Sequence, residues 1–491
     1  MITLLQRLLK FLIRFFGSLT LVLIVVITIG SLIIFDSDMN YYPVKDPNVH
    51  EKLESWQDRK FGLFMHWGPY SQWGVVESWR NDEIYTRYKQ DYENLKYTFN
   101  PVNFNPDKWV EAAKDAGMGY LVFTTKHHDG FCMFDTQTTD YKITNDSVPF
   151  SSDPRADVTR EIFNTFREND FMIGAYFSKA DWNSEYFWWP NFATPNRNVN
   201  YDIQRYPERW EKFIDFTHTQ VDELVSNYGQ VDILWFDGGW VRPHTMLESK
   251  VSSFFSNLYL KAGYTQLNPP QSMNLKMAEL AEKARVKQPG LIMVDRAVEG
   301  SLQDYLTPEQ HIPEEFIPHP WESCITMGGS WSYNPNEKYK PAKELIHILV
   351  DIVSKGGNLL LNIGPGPDGE WHEEAYIRLS EIGDWMDINS SAIYNTKGSQ
   401  KFAEGNFRFT WNSEHDVNAI LLAEDTQYRI PEELVIESVK PGKDTKVKLL
   451  GYGQELAWEK YSGGIKIQVP AIVASNPPCK YAWVFEIKNI K

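Results

Sequence analysis

Between about residues 60 and 390 the chain repeats one pattern, in which a short apolar run, a polar loop and an amphipathic stretch follow one another. The apolar runs lie at residues 62–66, 120–125, 172–178, 231–237, 291–296 and 359–363. Stretches with helical periodicity separate them, at residues 106–116, 159–168, 208–228, 276–287, 342–354 and 373–389. Because strands that are apolar on both faces are typical of parallel sheets covered by helices, the pattern predicts an α/β fold.

The apolar runs end in polar or reactive side chains. These are His66, the group Lys126-His127-His128, Ser178, Asp237, Arg296 and Asn362. In a closed barrel all strand ends meet on one face, where the βα loops build the active site, whereas an open doubly wound sheet collects its chemistry between two or three strands. The distribution therefore favours a (β/α)8-like TIM barrel over residues 41–395.

Beyond about residue 396 the helical pattern stops. Short apolar segments at 402–410, 419–422, 446–452, 465–469 and 481–487 alternate with Gly, Pro and Asn, which is typical of strands joined by turns. We expect residues 396–491 to form a C-terminal β-sandwich that packs on the barrel.

The N-terminus combines a basic stub with a long apolar run. Arg7, Lys10 and Arg14 precede 21 uncharged residues, 15–35, and a helix needs roughly 20 apolar residues to cross a bilayer. The run ends in Ser-Leu-Ile-Ile-Phe at residues 31–35, which is a poor site for signal-peptide cleavage because the small-residue A-x-A pattern is missing. Residues 1–40 are thus predicted to be a cytoplasmic stub and a transmembrane signal anchor, with the catalytic domain on the extracytoplasmic side. A cleaved, secreted form is the alternative.

Charge and cysteine content restrict the protein class further. The formal net charge of −16 argues against sequence-independent nucleic-acid binding, which needs a basic surface. Three cysteines do not make a disulfide framework, so the body must rely on its apolar core.

Asp237 is the most informative single residue. It ends an apolar strand and precedes Gly238 and Gly239, so its carboxylate is expected at the barrel mouth. Trp235 and Trp240 beside it can offer indole faces to sugar rings. The competing interpretation is an aspartate that closes the turn or caps the next helix.

Histidines follow two other strands. His127 and His128 are adjacent, and in a regular strand their side chains would point to opposite faces, which makes joint metal chelation awkward. With His66 they are interpreted as donors to substrate hydroxyls, the alternative being that one of the adjacent pair is a core histidine with its hydrogen bonds satisfied. No metal or cofactor is expected.

Two glutamates complete the chemistry. Glu309 follows a proline in a loop that can reach over the mouth, and Glu322 beside Trp321 can bind a sugar hydroxyl. Carboxylates, histidine donors and tryptophan walls on one barrel face suggest glycoside hydrolysis, in which two carboxyl groups flank the scissile bond. A solvated loop acid is the alternative for Glu309.

Four motifs together resemble the α-L-fucosidases of glycoside hydrolase family 29. They are Phe-Gly-Leu-Phe-Met-His-Trp-Gly-Pro-Tyr at residues 61–70, Lys-His-His-Asp-Gly-Phe at 126–131, Leu-Trp-Phe-Asp-Gly at 234–238 and Gly-Gly-Asn-Leu-Leu-Leu-Asn-Ile-Gly-Pro at 356–365. The resemblance covers about residues 54–400. It implies a barrel, a C-terminal β-sandwich and retaining hydrolysis of terminal α-L-fucose from a fucosylated oligosaccharide or glycoconjugate.

The resemblance also implies roles for individual residues. Asp237 matches the nucleophile, and Glu309 is the first choice for the acid/base, with Glu299 and Glu322 as alternatives. The implied substrate-binding positions are His66, Glu77, Trp79, His127, His128, Trp235, Arg296, Glu322 and Trp331. Trp331 would form a wall near the fucose methyl, and the insertion 251–272 would shape the aglycone side. The alternative functions are an α-L-galactosidase of the same fold and a catalytically inactive, fucose-binding lectin-like module.

Overall fold

The computed structural model describes residues 41–74, 86–194, 196–252, 271–298, 300–424 and 428–490. The predicted anchor therefore lies outside the described residues, as do Glu77, Trp79, Glu299 and most of the insertion 251–272. Within the described ranges, no helix combines the length and apolar character needed to cross a membrane.

A curled sheet of parallel strands forms the centre of the catalytic part. In space the strands run β5-β4-β3-β2-β1-β7-β6. Their bounds are β1 Phe61–Met65, β2 Tyr120–Lys126, β3 Met172–Ser178, β4 Ile233–Asp237, β5 Ile292–Asp295, β6 Glu322–Thr326 and β7 Asn358–Asn362. All pairings between them are parallel. The α/β prediction is confirmed.

The helices of the catalytic part are α1 Pro47–Arg59, α2 Thr86–Glu93, α3 Pro106–Asp115, α4 Val158–Glu168, α5 Pro207–Asn227, α6 Met277–Lys287, α7 Ala342–Ser354 and α8 Glu373–Asn389. Helices α3 to α8 pack apolar side chains on the outer face of the sheet, whereas Val49, Leu53 and Trp56 of α1 belong to the cluster that the sheet encloses. Side chains at helix starts satisfy free backbone N–H groups: Asn105 accepts from Asp107 and Lys108, and Asp157 accepts from Arg160.

The strand alternation divides the core into two layers. Phe64, Val122, Tyr176 and Trp235 belong to an inner cluster enclosed by the curled sheet. Their sequence neighbours, such as Leu121, belong to the outer cluster that packs against the helices. Because both faces are buried, each strand reads as a continuous apolar run, which is why these strands are visible in the sequence.

The prediction of a closed eight-stranded barrel is wrong for the described residues, which contain seven parallel strands with β5 and β6 at the edges. The segment 304–310 lies between these edges. Asp304 N donates to Met293 O of β5 (2.9 Å), and Gln310 N donates to Cys324 O of β6 (2.9 Å). Pro308 has no N–H, and the segment forms only isolated bridges to β6, so it closes the wall without being a regular strand.

Two antiparallel sheets follow the catalytic part. One has the order β12-β15-β10-β9-β8 and the other β11-β14-β13. Their strands are β8 Ala403–Glu404, β9 Phe407–Trp411, β10 Val417–Leu422, β11 Glu433–Ile436, β12 Pro441–Leu449, β13 Ala457–Tyr461, β14 Gly464–Gln468 and β15 Ala482–Ile490, with α9 Ala471–Ser475 before β15. Apolar side chains of both sheets share one core. The predicted C-terminal β region is confirmed as antiparallel sheets.

The five-stranded C-terminal sheet packs on α7 and α8. Arg408 Nε donates to Asp351 Oδ1 (2.5 Å), and Trp385 Nε1 donates to Ala482 O (2.8 Å). These contacts lie on the outer layer of the curled sheet, so the C-terminal region supports the catalytic part from outside.

Candidate active site

Asp237 is the last residue of β4, and its carboxylate stands at the open end of the curled sheet. Tyr176 Oη donates to Asp237 Oδ2 (2.7 Å), and the Gly238 N–H donates to Oδ1 (2.7 Å). The side chain keeps 18% of its surface exposed, so it faces a solvent-connected space while its oxygens are held. A turn-closing aspartate would not be fixed by a neighbouring strand's phenol, and the arrangement therefore favours a chemical role.

The two positions after Asp237 require glycine for different structural reasons. Gly238 has φ +88°, a left-handed conformation that turns the backbone immediately after the carboxylate. A Cβ on Gly239 would lie 2.7 Å from the Arg296 carbonyl oxygen. Gly239 thus allows close approach of the Arg296 segment.

The Asp237 carboxylate is stabilised in its ionised form. Burial alone would raise its pKa, but the charges of His128 and Arg296 and the hydrogen bonds from Tyr176 and Gly238 outweigh burial and lower the pKa to about 2. Arg296 Nη1 lies 3.8 Å from Asp237 Oδ1. Because burial also lowers the pKa of His128 to about 4, Arg296 is the cation that persists at neutral pH.

The three predicted histidines converge next to Asp237. His128 Nε2 lies 3.6 Å from Asp237 Oδ2, and its Nδ1 lies 2.7 Å from Ser178 Oγ. His66 Nδ1 lies 2.7 Å from Asn362 Oδ1. Burial lowers the pKa of His66 to about 4 and that of His127 well below its usual value. Neutral imidazoles keep both a donor and an acceptor nitrogen, which suits sugar hydroxyls.

The expectation that His127 and His128 point apart is wrong. β2 ends at Lys126, so the alternation of a regular strand does not extend to them, and their ring centroids lie 4.3 Å apart. One ligand atom each from His127, His128 and Asp237 falls within 4.8 Å of the others. These three residues could therefore approach a cation, although the Arg296 guanidinium already stands beside the same carboxylate.

Aromatic rings line a cavity of about 300 Å³ above Asp237. Trp235 stacks on Tyr176 with centroids 5.5 Å apart and an interplanar angle of 21°. Trp331 lies 5.1 Å from the His66 ring, and Asn362 Nδ2 donates to the Trp331 carbonyl oxygen (2.7 Å). The described lining is Phe64, His66, His127, Tyr176, Arg197, Trp235, Asp237, Gly239, Trp240, Arg296, Ala297, Glu309, Cys324 and Trp331.

Arg296 connects the two carboxylates of the site. Its guanidinium forms an ion pair with Glu309 Oε2 while Nη1 faces Asp237. Glu309 lies on the irregular segment between β5 and β6, and its side chain is 37% exposed. The structure thus brings Glu309 to the cavity wall that contains Arg296, as the sequence predicted for a loop reaching over the mouth.

Glu322 does not line the cavity, which corrects its interpretation as a residue that binds a sugar hydroxyl. It is the first residue of β6, at the end of the sheet opposite the active face, and it is fully buried. Tyr120 Oη and Trp235 Nε1 donate to its two oxygens, at 2.6 and 3.2 Å. Glu322 therefore lies beneath Trp235 and not beside a bound sugar.

Tyr176 and Arg197 are polar cavity residues that the sequence analysis did not identify. Tyr176 lies two positions before the Ser178 strand end, and the period-2 alternation of β3 would have placed it on the inner face. Arg197 lies in a loop, with its guanidinium 4.3 Å from the Trp240 ring centroid, and no local pattern marks it.

Comparisons with known proteins agree with this geometry. Residues 34–391 match the family model described as α-L-fucosidase, and residues 400–488 match that of the α-L-fucosidase C-terminal domain. The chain is 27% identical to the plasma α-L-fucosidase of Homo sapiens, over 89% of this chain and 90% of the relative. It is 28% identical to an α-L-fucosidase of Branchiostoma floridae, over 92% and 96%.

Solved structures of α-L-fucosidases also superpose on this chain. α-L-Fucosidase isoenzyme 1 from Paenibacillus thiaminolyticus superposes with a TM-score of 0.72 at 28% identity, covering 90% of this chain and 100% of that one. The Thermotoga maritima α-fucosidase, solved in complex with a mechanism-based inhibitor, gives a TM-score of 0.68 at 25% identity, covering 91% and 100%. The chain belongs to the α-L-fucosidases of glycoside hydrolase family 29.

Proposed function

We propose that this protein is a retaining exo-α-L-fucosidase that removes terminal α-L-fucose from glycans by double displacement, without a cofactor. The observation that carries the proposal is the ionised Asp237 carboxylate in an aromatic cavity, joined through Arg296 to Glu309. A lectin needs neither a carboxylate of lowered pKa nor a second acid on the same guanidinium.

In the first step an Asp237 oxygen attacks the anomeric carbon while the bond to the leaving oxygen breaks. That oxygen takes a proton from Glu309, and a glycosyl ester forms on Asp237. In the second step water attacks the anomeric carbon and gives its proton to Glu309, and the ester bond breaks to restore Asp237. Glu309 is partly exposed, so it can exchange its proton with solvent between turnovers.

Cavity size and lining support an exo-acting enzyme. About 300 Å³ is at the lower end for ligand cavities and suits a single sugar ring. His66 and His127 offer hydrogen bonds to hydroxyls, and Trp235 and Trp331 offer apolar faces. We propose Trp331 as the wall for the C6 methyl, and Glu77, Trp79 and the insertion 251–272 as further substrate contacts.

The decisive test of the nucleophile is turnover of an aryl α-L-fucoside by the full chain and its Asp237→Gly variant. We expect the variant to lose nearly all activity and to regain turnover with azide, giving a glycosyl azide of inverted configuration because azide enters from the vacated side.

Fucose binding without turnover by the wild type would favour the lectin, and preferential hydrolysis of the α-L-galactoside would favour the galactosidase. Unchanged activity of Asp237→Gly would show that Asp237 is not the nucleophile.

Glu309 is tested by leaving-group dependence. Glu309→Ala should slow aryl fucosides with poor leaving groups most, because these need protonation, while azide should give a product of retained configuration. Glu299→Ala is the matched control, because Glu299 is the other acid/base candidate that precedes β6 in the sequence. If the Glu299 variant shows this pattern and the Glu309 variant does not, Glu299 is the acid/base.

We also propose that residues 1–40 anchor the enzyme to a membrane, with the catalytic part outside the cytoplasm. The support is the uncharged run 15–35 behind three basic residues, together with a family match that starts only at residue 34. The full chain should stay in the membrane fraction after an alkaline wash, whereas a chain starting at residue 41 should not. Release of the full chain by the wash would contradict the anchor.

A further inference from the structure

Glu322 lies in the interior of the curled sheet, without contact to the cavity, and both of its oxygens are occupied. Tyr120 Oη donates to Oε2 (2.6 Å) and Trp235 Nε1 donates to Oε1 (3.2 Å). Among the described residues these two neutral donors are its hydrogen-bond partners. Burying a carboxyl group costs free energy, which an apolar side chain of similar volume would avoid. An apolar side chain would, however, leave the buried indole N–H of Trp235 without an acceptor.

Trp235 connects this buried carboxyl group to the reacting end of the site. The indole stacks on Tyr176, and Tyr176 Oη donates to Asp237 Oδ2. The other side of the site is coupled as well, because the Arg296 guanidinium lies 5.3 Å from the Trp235 ring centroid. A shift of the Trp235 indole would therefore displace the Tyr176 phenol, which donates to Asp237. It would also change the aromatic face against which the Arg296 guanidinium packs.

We propose that Glu322 is a positioning residue for the fucosidase reaction, which fixes the Trp235 indole and through it the Tyr176–Asp237 hydrogen bond. The inference rests on the proposed function, and it replaces the hypothesis that Glu322 contacts substrate or serves as the acid/base. Glu322 acts from beneath the cavity and exchanges no proton with the sugar.

The electrostatics of the interior agree with this assignment. Burial raises the pKa of Glu322 to about 7, and the hydrogen bonds from Tyr120 and Trp235 oppose that increase. Both partners donate, so they favour the ionised carboxylate, which accepts at both oxygens at once.

The experiment compares kcat and KM for an aryl α-L-fucoside in five variants of the full chain. Glu322→Leu removes the acceptor and should lower kcat about 100-fold with little change in KM, because a small displacement of the reacting groups is enough. Glu322→Gln can still accept from Trp235, and Tyr120 can turn its hydroxyl hydrogen toward Leu359 O, 3.5 Å away. It should stay within about fivefold of the wild type.

Tyr120→Phe is the matched control, because it removes the shorter hydrogen bond to the same buried carboxylate without touching Trp235. It should lower the melting temperature but change kcat far less than Glu322→Leu. In a Trp235→Phe background, Glu322→Leu should add little further loss, since the indole N–H is already gone.

Three results would overturn the proposal: a folded Glu322→Leu with wild-type kcat, a Glu322→Gln as impaired as the leucine variant, or full additivity with Trp235→Phe. Near-UV circular dichroism provides a readout independent of activity, because Glu322→Leu should alter the tryptophan signal only when Trp235 is present. If the wild type does not hydrolyse the fucoside, the proposed function fails, and the dichroism still decides whether Glu322 positions Trp235.

Discussion

Tyr176 Oη donates a 2.7 Å hydrogen bond to Asp237 Oδ2 across the neighbouring strands β3 and β4. The parallel register pairs Ser178 with Asp237, so the phenol reaches diagonally from two residues earlier on the inner face. This places a neutral donor on the carboxylate without adding a charge to the cavity. The carboxylate of the proposed nucleophile is thereby oriented from the sheet at Oδ2, while the Gly238 N–H in the following turn holds Oδ1.

Tyr176→Phe should therefore lower kcat by about 10- to 100-fold, the value of one hydrogen bond to a charged group. The measurement is steady-state kinetics on an aryl α-L-fucoside. Tyr201→Phe is the matched control, because Tyr201 donates an equally short bond to the Tyr186 carbonyl oxygen, outside the cavity. Equal losses in both variants would mean that the phenol acts only on stability.

The buried ion pair of Lys179 and Asp295 should be essential for stability. Lys179 Nζ donates to Asp295 Oδ1 (2.5 Å), and both side chains are almost fully buried. Asp295→Asn leaves a buried ammonium group without its counter-charge, which should cost about 3–5 kcal/mol of unfolding free energy. Activity should fall too, since Asp295 precedes Arg296. Glu279→Gln breaks the exposed pair with Lys283 and should cost much less unfolding free energy than Asp295→Asn, as measured by denaturant unfolding.

Because the pKa values of His66 and His128 are lowered in the folded protein, we expect the protein to be less stable in acid. His66 and His128 have a folded-state pKa of about 4, below the ordinary value of 6.5, so between these values the unfolded chain binds more protons than the folded chain. Unfolding free energy should therefore fall as the pH drops from about 6.5 to 4. His66→Gln should flatten this part of the melting-temperature profile, whereas replacing the exposed His311 should not. An unchanged slope in His66→Gln would contradict the assignment.

Chelators should leave the activity unchanged, although ligand atoms of His127, His128 and Asp237 lie within 4.8 Å of one another. Arg296 already places a positive charge 3.8 Å from the Asp237 carboxylate and would repel a divalent cation. The check is turnover after prolonged dialysis against EDTA. Loss of activity that Zn²⁺ restores would show a metal centre at these three residues.

Much of the catalytic face could be predicted because strand ends share one edge of a parallel sheet. His66, Asp237 and Asn362 each follow or end an apolar run, and the structure places His66 and Asp237 on one cavity and Asn362 behind His66. The α/β class could also be predicted, because strands that are buried on both faces appear in the sequence as continuous apolar runs.

The errors arose where tertiary structure decides. Glu322 starts a weakly apolar strand, and only the sheet register shows that this end lies away from the cavity. His127 and His128 follow the last residue of β2, where strand alternation no longer applies. Barrel closure depends on how β5 and β6 meet across a proline-containing segment, which no local pattern describes.

That closing segment has a consequence for how such enzymes diversify. A residue within a regular strand cannot shift by one position without turning every later side chain to the other face. Glu309 lies instead on a stretch held by isolated bridges, so insertions or deletions there would leave both neighbouring strands in register. The carboxylate that we propose as the general acid can thus be relocated along the chain while Asp237 on β4 stays fixed, which makes this segment the place to redesign leaving-group preference.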